Sequence, residues 1–169
     1  MRLGYNELEG GGKLIQVYTG NGKGKTTAAL GLAIRAAGAG LRVYIGQFLK
    51  TGNYSEVKLL KKIKRITIEQ FGRGCFIKEI PTKKDFELAK KCLEKIKNIV
   101  AERIYDVMIL DEINVALKLR VLAIEDVISL IKSMPKKTEL VLTGRCAHPK
   151  ITKLADLVSE IKEVKHYFK

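Results

Sequence analysis

The chain has 169 residues, 46% of them hydrophobic and 30% charged, a composition typical of one globular domain with its own core. No apolar run approaches the roughly 20 residues that a membrane-spanning helix requires, and residues 1–12 lack the apolar stretch of a signal peptide. We therefore expect a single cytoplasmic domain over residues 1–169, with residues 1–12 as a flexible N-terminal segment and no membrane partner.

Basic residues outnumber acidic ones, 32 to 18, and the formal net charge of +14 favours anionic partners such as nucleotides or nucleic acids. Much of the excess lies in residues 58–65 and 83–97, where basic and apolar residues alternate as on the outer face of a helix. This pattern favours solvated helix faces over a nucleic-acid patch. Cys75, Cys92 and Cys146 are widely spaced, which indicates reduced thiols rather than a metal or redox site.

Strand-like and helix-like segments alternate along the chain. In chain order we predict a strand at 14–18, a helix at 25–37, a strand at 42–48, a short helix at 55–62, a strand at 66–71, a long helix from 82, a strand at 107–110, a helix at 124–131 and a strand at 140–143. Such alternation predicts an α/β fold with three layers, in which a mostly parallel sheet of five or six strands lies between helices.

The long helix carries clear local signals. Thr82 and Asp85 have the spacing of a capping box, which marks the start of a helix. Apolar residues then recur every three or four positions, at Phe86, Ala89, Leu93, Ile96 and Val100. We expect this stripe to pack against the sheet.

Residues 19–27 read Thr-Gly-Asn-Gly-Lys-Gly-Lys-Thr-Thr and lie between a predicted strand and a predicted helix, as a phosphate-binding P-loop requires. The three glycines allow positive φ angles, so that several backbone amides can point at one anion beside the positive end of the helix. Lys25 is predicted to neutralise the outer phosphates, and the Thr26 hydroxyl to bind the Mg²⁺ that ATP carries. The predicted nucleotide-binding residues of the loop are Gly20, Asn21, Gly22, Lys23, Gly24, Lys25, Thr26 and Thr27.

One position departs from the usual P-loop pattern, because Thr19 stands where that pattern begins with glycine. We expect Gly20 to take over the turn. A glycine-rich turn without a ligand would not need the charge and hydroxyls of Gly-Lys-Thr-Thr. The sequence therefore predicts the three-layer fold of P-loop NTPases, formed by a single ATP-binding domain.

Carboxylates end the strand predicted at 107–110, where Asp111 and Glu112 follow an apolar run. Mg²⁺ prefers oxygen ligands and keeps several waters, so one or two carboxylates at the edge of the sheet suffice. Beside a P-loop we favour a metal site over an ordinary acidic helix cap. Two arginines, Arg35 in the predicted P-loop helix and Arg145 after the last predicted strand, are each open to phosphate contact or to a surface role.

Several motifs together resemble the P-loop type of ATP:corrinoid adenosyltransferase, and they keep the order of that family across nearly the whole chain. They are Thr19-Gly-Asn-Gly-Lys-Gly-Lys-Thr-Thr-Ala-Ala, Gln47-Phe-Leu-Lys, Leu110-Asp-Glu, Thr143-Gly-Arg, Leu154-Ala-Asp-Leu-Val-Ser-Glu and Val164-Lys-His. The resemblance implies transfer of the 5′-deoxyadenosyl group of ATP to the Co(I) of a reduced corrinoid, with release of tripolyphosphate, in cobalamin biosynthesis or salvage.

The resemblance also implies roles for single residues. It carries Asn21, Lys25, Thr26 and Arg35 onto the nucleotide site, Thr26 and Glu112 onto Mg²⁺ or Mn²⁺, and Arg145 onto the phosphates. Lys25 and Glu112 are the catalytic residues that it implies, and Co(I) is itself the nucleophile, so no general base is required. The implied partners are the reduced corrinoid, a reductant such as flavodoxin, and a second copy of the chain in a homodimer.

The region after the third predicted strand departs from the family. Members place aromatic residues after a Gly-x-Gly, near the corrin, where they help to remove the lower ligand of cobalt. Here Gly72-Arg73-Gly74 is followed by Cys75-Phe76-Ile77, in which only Phe76 is aromatic. The resemblance therefore does not say how this protein prepares the cobalt.

Two other functions remain open on the sequence alone. A small-molecule kinase would release ADP and place a base near an acceptor hydroxyl. A nucleic-acid-stimulated ATPase would suit the charge of +14, but the tyrosines and phenylalanines form no stacking platform among the lysines. The phosphate product separates attack at C5′ from attack at phosphorus.

Overall fold

The computed structural model describes residues 14–73 and 80–166, and within them six strands form one sheet. The strands are β1 Ile15–Thr19, β2 Val43–Phe48, β3 Ile66–Phe71, β4 Val107–Asp111, β5 Glu139–Thr143 and β6 Leu157–Glu160. Their order across the sheet is β3-β2-β4-β5-β1-β6, and every pairing is parallel. The predicted parallel sheet is confirmed, although the sequence pattern does not locate its sixth strand, β6.

Helices cover both faces of the sheet. They are α1 Lys25–Gly38, α2 Ser55–Leu60, α3 Lys83–Glu102, α4 Ile113–Lys118, α5 Ile124–Ser133 and α6 Pro149–Thr152. One buried cluster joins α1 and α2 to the sheet, and a second cluster joins α3, α4 and α5 to the opposite face. The molecule therefore has the three layers that alternating strands and helices predict.

The central strands supply both clusters because successive side chains of a strand point to opposite faces. In β2, Val43 and Ile45 pack with α1 and α2, whereas Tyr44 and Phe48 pack with the helices of the other face. All four side chains are fully buried, as expected of a strand inside a parallel sheet. The carboxyl ends of the parallel strands meet at one edge of the sheet, where ligands bind in folds of this type.

The long helix α3 begins with the predicted capping box, in which the Thr82 amide donates to the Asp85 carboxylate at 2.8 Å. Four of the five residues in its predicted apolar stripe are buried. The prediction for the fifth, Phe86, is wrong, because its side chain is 44% exposed. A helix of 20 residues is about 30 Å long and a strand of six about 20 Å, so the strands cannot cover the whole of α3, and Phe86 lies in its first turn.

Arg73, which follows β3, is hydrogen-bonded to Asp85 in the first turn of α3. Its guanidinium donates to the Asp85 carboxylate from Nε at 2.8 Å and from Nη2 at 2.7 Å. These bonds to Arg73, with further bonds from Thr82, outweigh burial and lower the pKa of Asp85 to about 2. Residues 74–79, which hold the departure from the family's aromatic pattern, lie outside the described residues.

No helix in the described ranges is long and apolar enough to cross a membrane. In the same ranges Cys92 and Cys146 are free thiols, while Cys75 lies outside them. Burial is the main cause that raises the pKa of Cys92, so this thiol is unreactive. The predicted N-terminal segment, 1–12, also lies outside the described residues.

Candidate active site

The loop between β1 and α1 uses its glycines for two different reasons. Gly20 has φ 95° and Gly24 has φ 119°, which confirms the expectation that glycines let this backbone turn. Gly20 does take over the turn at the position next to Thr19. At Gly22 the expectation of a positive φ is wrong. A side chain is excluded there because a Cβ would lie 2.6 Å from the Lys162 carbonyl oxygen.

The segment that follows β6 supports this loop from outside. The Gly22 amide donates to the Ile161 carbonyl at 2.8 Å, and the Ile161 amide donates to the Thr19 carbonyl at 2.9 Å. The close approach extends to Gly20, where a Cβ would lie 2.4 Å from the Ile161 oxygen. The conformation of the loop is therefore set by a segment distant in sequence as well as by its own glycines.

The exceptional residue Thr19 has a role of its own. Its hydroxyl accepts a hydrogen bond from the Ala147 amide at 3.2 Å. This bond joins the start of the phosphate loop to the segment after β5, which carries Arg145. A glycine at position 19 could not make the bond, which gives the departure from the usual pattern a structural reason.

Lys25, the first residue of α1, points back over the loop. Its ammonium donates to the Gly20 carbonyl at 2.8 Å and to the Gly22 carbonyl at 2.6 Å, and the residue is 8% exposed. Burial and the nearby Arg145 lower the pKa of Lys25, while Glu112 opposes them. An anion in the loop would therefore meet an ammonium that is already oriented.

Asp111, the last residue of β4, is fully buried and accepts four hydrogen bonds. Its Oδ1 accepts from the Thr26 hydroxyl at 2.9 Å and from the Thr143 hydroxyl at 2.6 Å. Its Oδ2 accepts from Gln47 Nε2 and from Lys50 Nζ, both at 3.0 Å. Because both oxygens are already bonded twice, Asp111 orients its neighbours and Glu112 is the carboxylate better suited to contact a metal.

Glu112 follows Asp111 with the left-handed φ of 63°, which is unusual for a residue with a side chain. Its amide donates to the Thr143 hydroxyl at 3.1 Å, which fixes the turn between β4 and α4. The side chain lines the cavity in front of the phosphate loop. A strained turn that presents a carboxylate to a cavity is typical of functional sites.

Lys50 belongs to this site, although the residue-by-residue reasoning from the sequence assigns it no role. Its ammonium lies 3.0 Å from Asp111 Oδ2, 3.3 Å from Glu112 Oε1 and 3.4 Å from the Thr26 hydroxyl. Burial alone would lower the pKa of Lys50, but the two carboxylates outweigh burial and raise it. The available signal is its position two residues after an apolar strand, in Gln47-Phe-Leu-Lys.

Two cavities meet at this edge of the sheet, and Thr26, Thr27 and Lys50 line both. The first has a volume of about 570 Å³ and also borders the loop, Glu112 and Arg145. The second, of about 610 Å³, extends along α1 and has mostly apolar walls. Its further walls are Leu30, Gly31, Ile34, Tyr54 and Glu56. Both volumes are typical of sites for small molecules.

Most of the predicted site residues come together here. Those on the wall of the first cavity are Gly22, Lys23, Gly24, Lys25, Thr26, Thr27, Glu112 and Arg145. Gly20 and Asn21 belong to the same loop, and Asn21 is exposed. The structure does not bring Arg35 to this cavity, because it is exposed in the last turn of α1, about 15 Å along the helix axis from Lys25. The role of Arg35 in the nucleotide site stays a prediction.

The oxygen atoms of Thr26 and Glu112 are suitable ligands for a magnesium ion. The Thr26 hydroxyl and the Glu112 carboxylate both approach Lys50, so a cation already lies among oxygens of the kind that Mg²⁺ prefers. The described residues include no group of three His, Cys, Asp or Glu side chains that could hold a metal. Mg²⁺ does not need such a group, because it binds through one or two carboxylates together with waters and phosphates.

A parallel sheet, a glycine-rich loop before α1, and carboxylates at the end of a central strand define a P-loop nucleotide-binding protein. Comparison with known proteins then identifies the family. The model of the ATP:corrinoid adenosyltransferase family BtuR/CobO/CobP matches residues 12–169, and the chain belongs to that family. The resemblance seen in the sequence motifs is confirmed.

Curated relatives support the same assignment. The chain is 35% identical to a corrinoid adenosyltransferase of Escherichia coli strain K12 and 36% identical to the corrinoid adenosyltransferase CobA of Salmonella typhimurium. Each alignment spans 156 residues and covers 92% of this chain and 79% of the relative. Among solved structures, a KaiC-like protein of Pyrococcus horikoshii aligns with a TM-score of 0.57 at 17% identity, covering 93% of this chain and 75% of that protein. This last likeness concerns the fold.

Proposed function

We propose that this protein transfers the 5′-deoxyadenosyl group of ATP to the Co(I) of a reduced corrinoid and releases tripolyphosphate. The observation that carries the proposal is the family match over residues 12–169, which includes every element of the candidate site. In this reaction an electron pair of Co(I) forms the bond to C5′. The electrons of the C5′–O bond leave with the triphosphate, so the protein has to stabilise a leaving group that gains negative charge.

Lys25 is the residue proposed to meet that charge. Its ammonium now rests on the carbonyls of Gly20 and Gly22, within the loop where the phosphates would bind. Arg145 faces the same cavity and adds a second positive charge. The two groups increase their attraction as the leaving group becomes more negative, which is the condition for lowering the barrier.

Mg²⁺ is proposed to bind between Thr26 and Glu112, and when bound it would supply positive charge that stabilises the triphosphate. Asp111 orients the Thr26 hydroxyl through its hydrogen bond of 2.9 Å. The turn at Glu112, fixed by Thr143, points the carboxylate at the cavity. These positioning contacts would prepare the site before any ligand enters.

The second cavity, which extends along α1, suits the part of the reaction outside the phosphates. It adjoins the phosphate cavity at Thr26, Thr27 and Lys50. Attack at C5′ requires that the carbon next to the triphosphate be open to a large second substrate, so a neighbouring cavity with apolar walls supports the proposal. A kinase would instead need a base beside an acceptor hydroxyl.

We further propose that residues 1–169 act as one cytoplasmic domain that works as a homodimer and receives its corrinoid reduced by a flavodoxin-like protein. Support for the dimer comes from β6 at the edge of the sheet, where Leu157 is 46% and Val158 43% exposed. The free thiols of Cys92 and Cys146 are consistent with a reducing compartment.

The test is to mix the protein with Mg-ATP and chemically reduced cobalamin. We expect a light-sensitive cobalt–carbon product, seen by its absorption spectrum, and tripolyphosphate in equal amount. The control is the same mixture with unreduced cobalamin, which lacks the nucleophile and should give neither product. Formation of ADP with unmodified cobalamin would overturn the assignment.

A further inference from the structure

We propose that Lys50 is a tethered cation that holds the magnesium position among Thr26, Asp111 and Glu112 until the metal nucleotide arrives. The inference rests on the proposed metal site at Thr26 and Glu112. It concerns a residue to which that proposal gives no role, and it makes Lys50 a positioning residue rather than a catalytic one.

The Lys50 ammonium lies at the position proposed for the metal ion. It lies 3.0 Å from Asp111 Oδ2, 3.3 Å from Glu112 Oε1 and 3.4 Å from the Thr26 hydroxyl. A hydroxyl and carboxylates are the ligands that a hard divalent cation takes in proteins. One ammonium balances only part of the charge of two carboxylates, so the site retains an attraction for a divalent ion.

The ammonium adds charge rather than a missing hydrogen bond. Asp111 already accepts from three neutral donors, Thr26, Thr143 and Gln47. Without a cation, the carboxylates of Asp111 and Glu112 would repel each other in a buried setting, with side-chain exposures of only 1% and 15%. Lys50 relieves this repulsion while no metal is bound.

The backbone is shaped to deliver this side chain. Leu49, the residue directly after β2, has a left-handed φ of 60°, a strained conformation for a bulky residue. Its amide donates to the Phe71 carbonyl at 3.0 Å, which holds the strained turn against β3. The turn directs the next residue, Lys50, toward the end of β4.

Gly72 makes room for the same turn. A Cβ at Gly72 would lie 2.4 Å from the Lys50 amide nitrogen and 2.5 Å from the Leu49 carbonyl carbon. These are backbone atoms, which cannot move aside as the end of a flexible side chain can. The strained residue and the glycine thus hold Lys50 from two sides, which an incidental surface ion pair would not require.

The Lys50 side chain can move to another position when a metal ion binds. Its side chain lines both cavities, with phosphates proposed for one of them. A flexible four-carbon chain lets the ammonium turn from the carboxylates to a phosphate with a small movement. The ammonium would then have two successive roles. It balances the carboxylates while no metal is bound, and it contacts the phosphates once the metal nucleotide has bound.

The test measures metal binding to nucleotide-free protein, with Mn²⁺ as the probe and electron paramagnetic resonance as the readout. Removing the competing ammonium in Lys50→Met should tighten Mn²⁺ binding by at least about tenfold. A purely structural ion pair predicts a loss of stability but no tighter metal binding. Lys58→Met, which removes an exposed lysine of α2, controls for the loss of one positive charge and should leave Mn²⁺ binding unchanged.

Two further variants keep the test decisive. Lys50→Gln retains a donor for Asp111, so it stands in for methionine if Lys50→Met does not fold, and it should show the same gain. Adding Glu112→Gln to either variant should abolish the gain, because a proposed metal ligand is then lost. The inference is overturned if folded Lys50→Met or Lys50→Gln binds Mn²⁺ no more tightly than the unaltered protein.

Failure of this inference and failure of the proposed function remain distinguishable. The Mn²⁺ titration contains neither nucleotide nor corrinoid, so it does not depend on adenosyl transfer. Transfer with an unchanged Mn²⁺ affinity in the variants would refute the role of Lys50 alone. Tighter Mn²⁺ binding in the variants, together with no adenosyl transfer by the unaltered protein, would refute the reaction and leave the cation position supported.

Discussion

The amide of Gly22 and the carbonyl of Ile161 lie 2.8 Å apart and join the middle of the phosphate loop to the segment after β6. The contact is so close that neither Gly20 nor Gly22 can carry a side chain without striking the backbone of that segment. The loop therefore depends on a strand at the edge of the sheet, which the sequence pattern does not locate.

Gly22→Ala should damage the loop although φ at this position is not positive. The new Cβ would lie within 2.8 Å of backbone atoms of both Ile161 and Lys162, so the loop or the segment must shift. We expect the affinity for Mg-ATP, measured by calorimetry, to fall by about tenfold or more. Gly38→Ala meets no atom within 4 Å and should bind as the unaltered protein does. Equal affinities for the two variants would contradict this reading of the loop.

Lys25→Ala should remove most of the adenosyl transfer and leave the fold intact. The lost ammonium is proposed to stabilise the leaving triphosphate, and groups of this kind contribute about 10²–10³ in rate. Single-turnover formation of the cobalt–carbon bond is the measurement, with circular dichroism to verify folding. Lys64→Ala removes an exposed lysine outside the site and serves as the control. Turnover of Lys25→Ala close to that of Lys64→Ala would refute the role.

Asp111→Asn should destabilise the protein. The amide nitrogen of asparagine would face the donors of Gln47 or of Thr26, and Lys50 would lose one of its two negative partners. Breaking a buried pair of this kind costs about 3 kcal/mol. Urea unfolding at neutral pH measures the change, and Glu87→Gln, at an exposed position of α3, should cost less than about 0.5 kcal/mol. A loss as small as that of the control would show that the four hydrogen bonds contribute little.

The ion pair between Arg73 and Asp85 should make the free energy of unfolding depend on pH under acidic conditions. The bonds from Arg73 lower the pKa of Asp85 to about 2 in the folded state, while an unfolded aspartate titrates near 4. The stabilisation is therefore complete above about pH 4 and is lost as the pH falls through about 2.

Urea unfolding of the unaltered protein and of Asp85→Asn at pH 6 and at pH 3 tests this sign. The difference in unfolding free energy between the two proteins should be smaller at pH 3 than at pH 6. Asp126→Asn, at an exposed carboxylate in the first turn of α5, controls for the loss of one negative charge. A difference that grows toward pH 3 would contradict the assigned direction.

Substitution of the two candidate arginines should have different effects on the affinity for Mg-ATP. Arg145 borders the cavity in front of the loop between β1 and α1, beside Lys25, whereas Arg35 lies at the far end of α1. We expect Arg145→Ala to weaken Mg-ATP binding by about tenfold, as loss of a charged contact does, and Arg35→Ala to weaken it less. Calorimetry on the two variants is a matched comparison. A larger loss of affinity for Arg35→Ala would contradict this expectation and would mean that Arg35 contacts a nucleotide outside the cavity of its own chain.

Much of the fold and of the loop could be predicted because the signals are local. The glycines and Gly-Lys-Thr-Thr between a strand and a helix predict the phosphate loop, and the run before Asp111 predicts a buried strand ending in carboxylates. Parallel strands bring their carboxyl ends to one edge, so these two segments could be expected to meet. Family resemblance added the reaction, which the loop alone leaves open.

What could not be predicted depends on neighbours that are distant in sequence. Lys50 joins the site because β2 pairs with β4, so that Gln47 lies beside Asp111. Gly22 needs to be glycine because of Lys162, and Phe86 is exposed in the first turn of a helix that is longer than the strands. Periodicity and motif spacing report the chemistry of a segment, but they do not report which segments lie beside it.

The position of bond cleavage tests the central claim most directly. ATP labelled with ¹⁸O at the oxygen that joins C5′ to the α-phosphorus is incubated with Mg²⁺, reduced cobalamin and the protein, and the phosphate product is weighed by mass spectrometry. Attack at C5′ predicts tripolyphosphate that carries the label, because the C5′–O bond breaks. Label retained in ADP or in any other adenosine-containing product would mean attack at phosphorus, and would contradict the account.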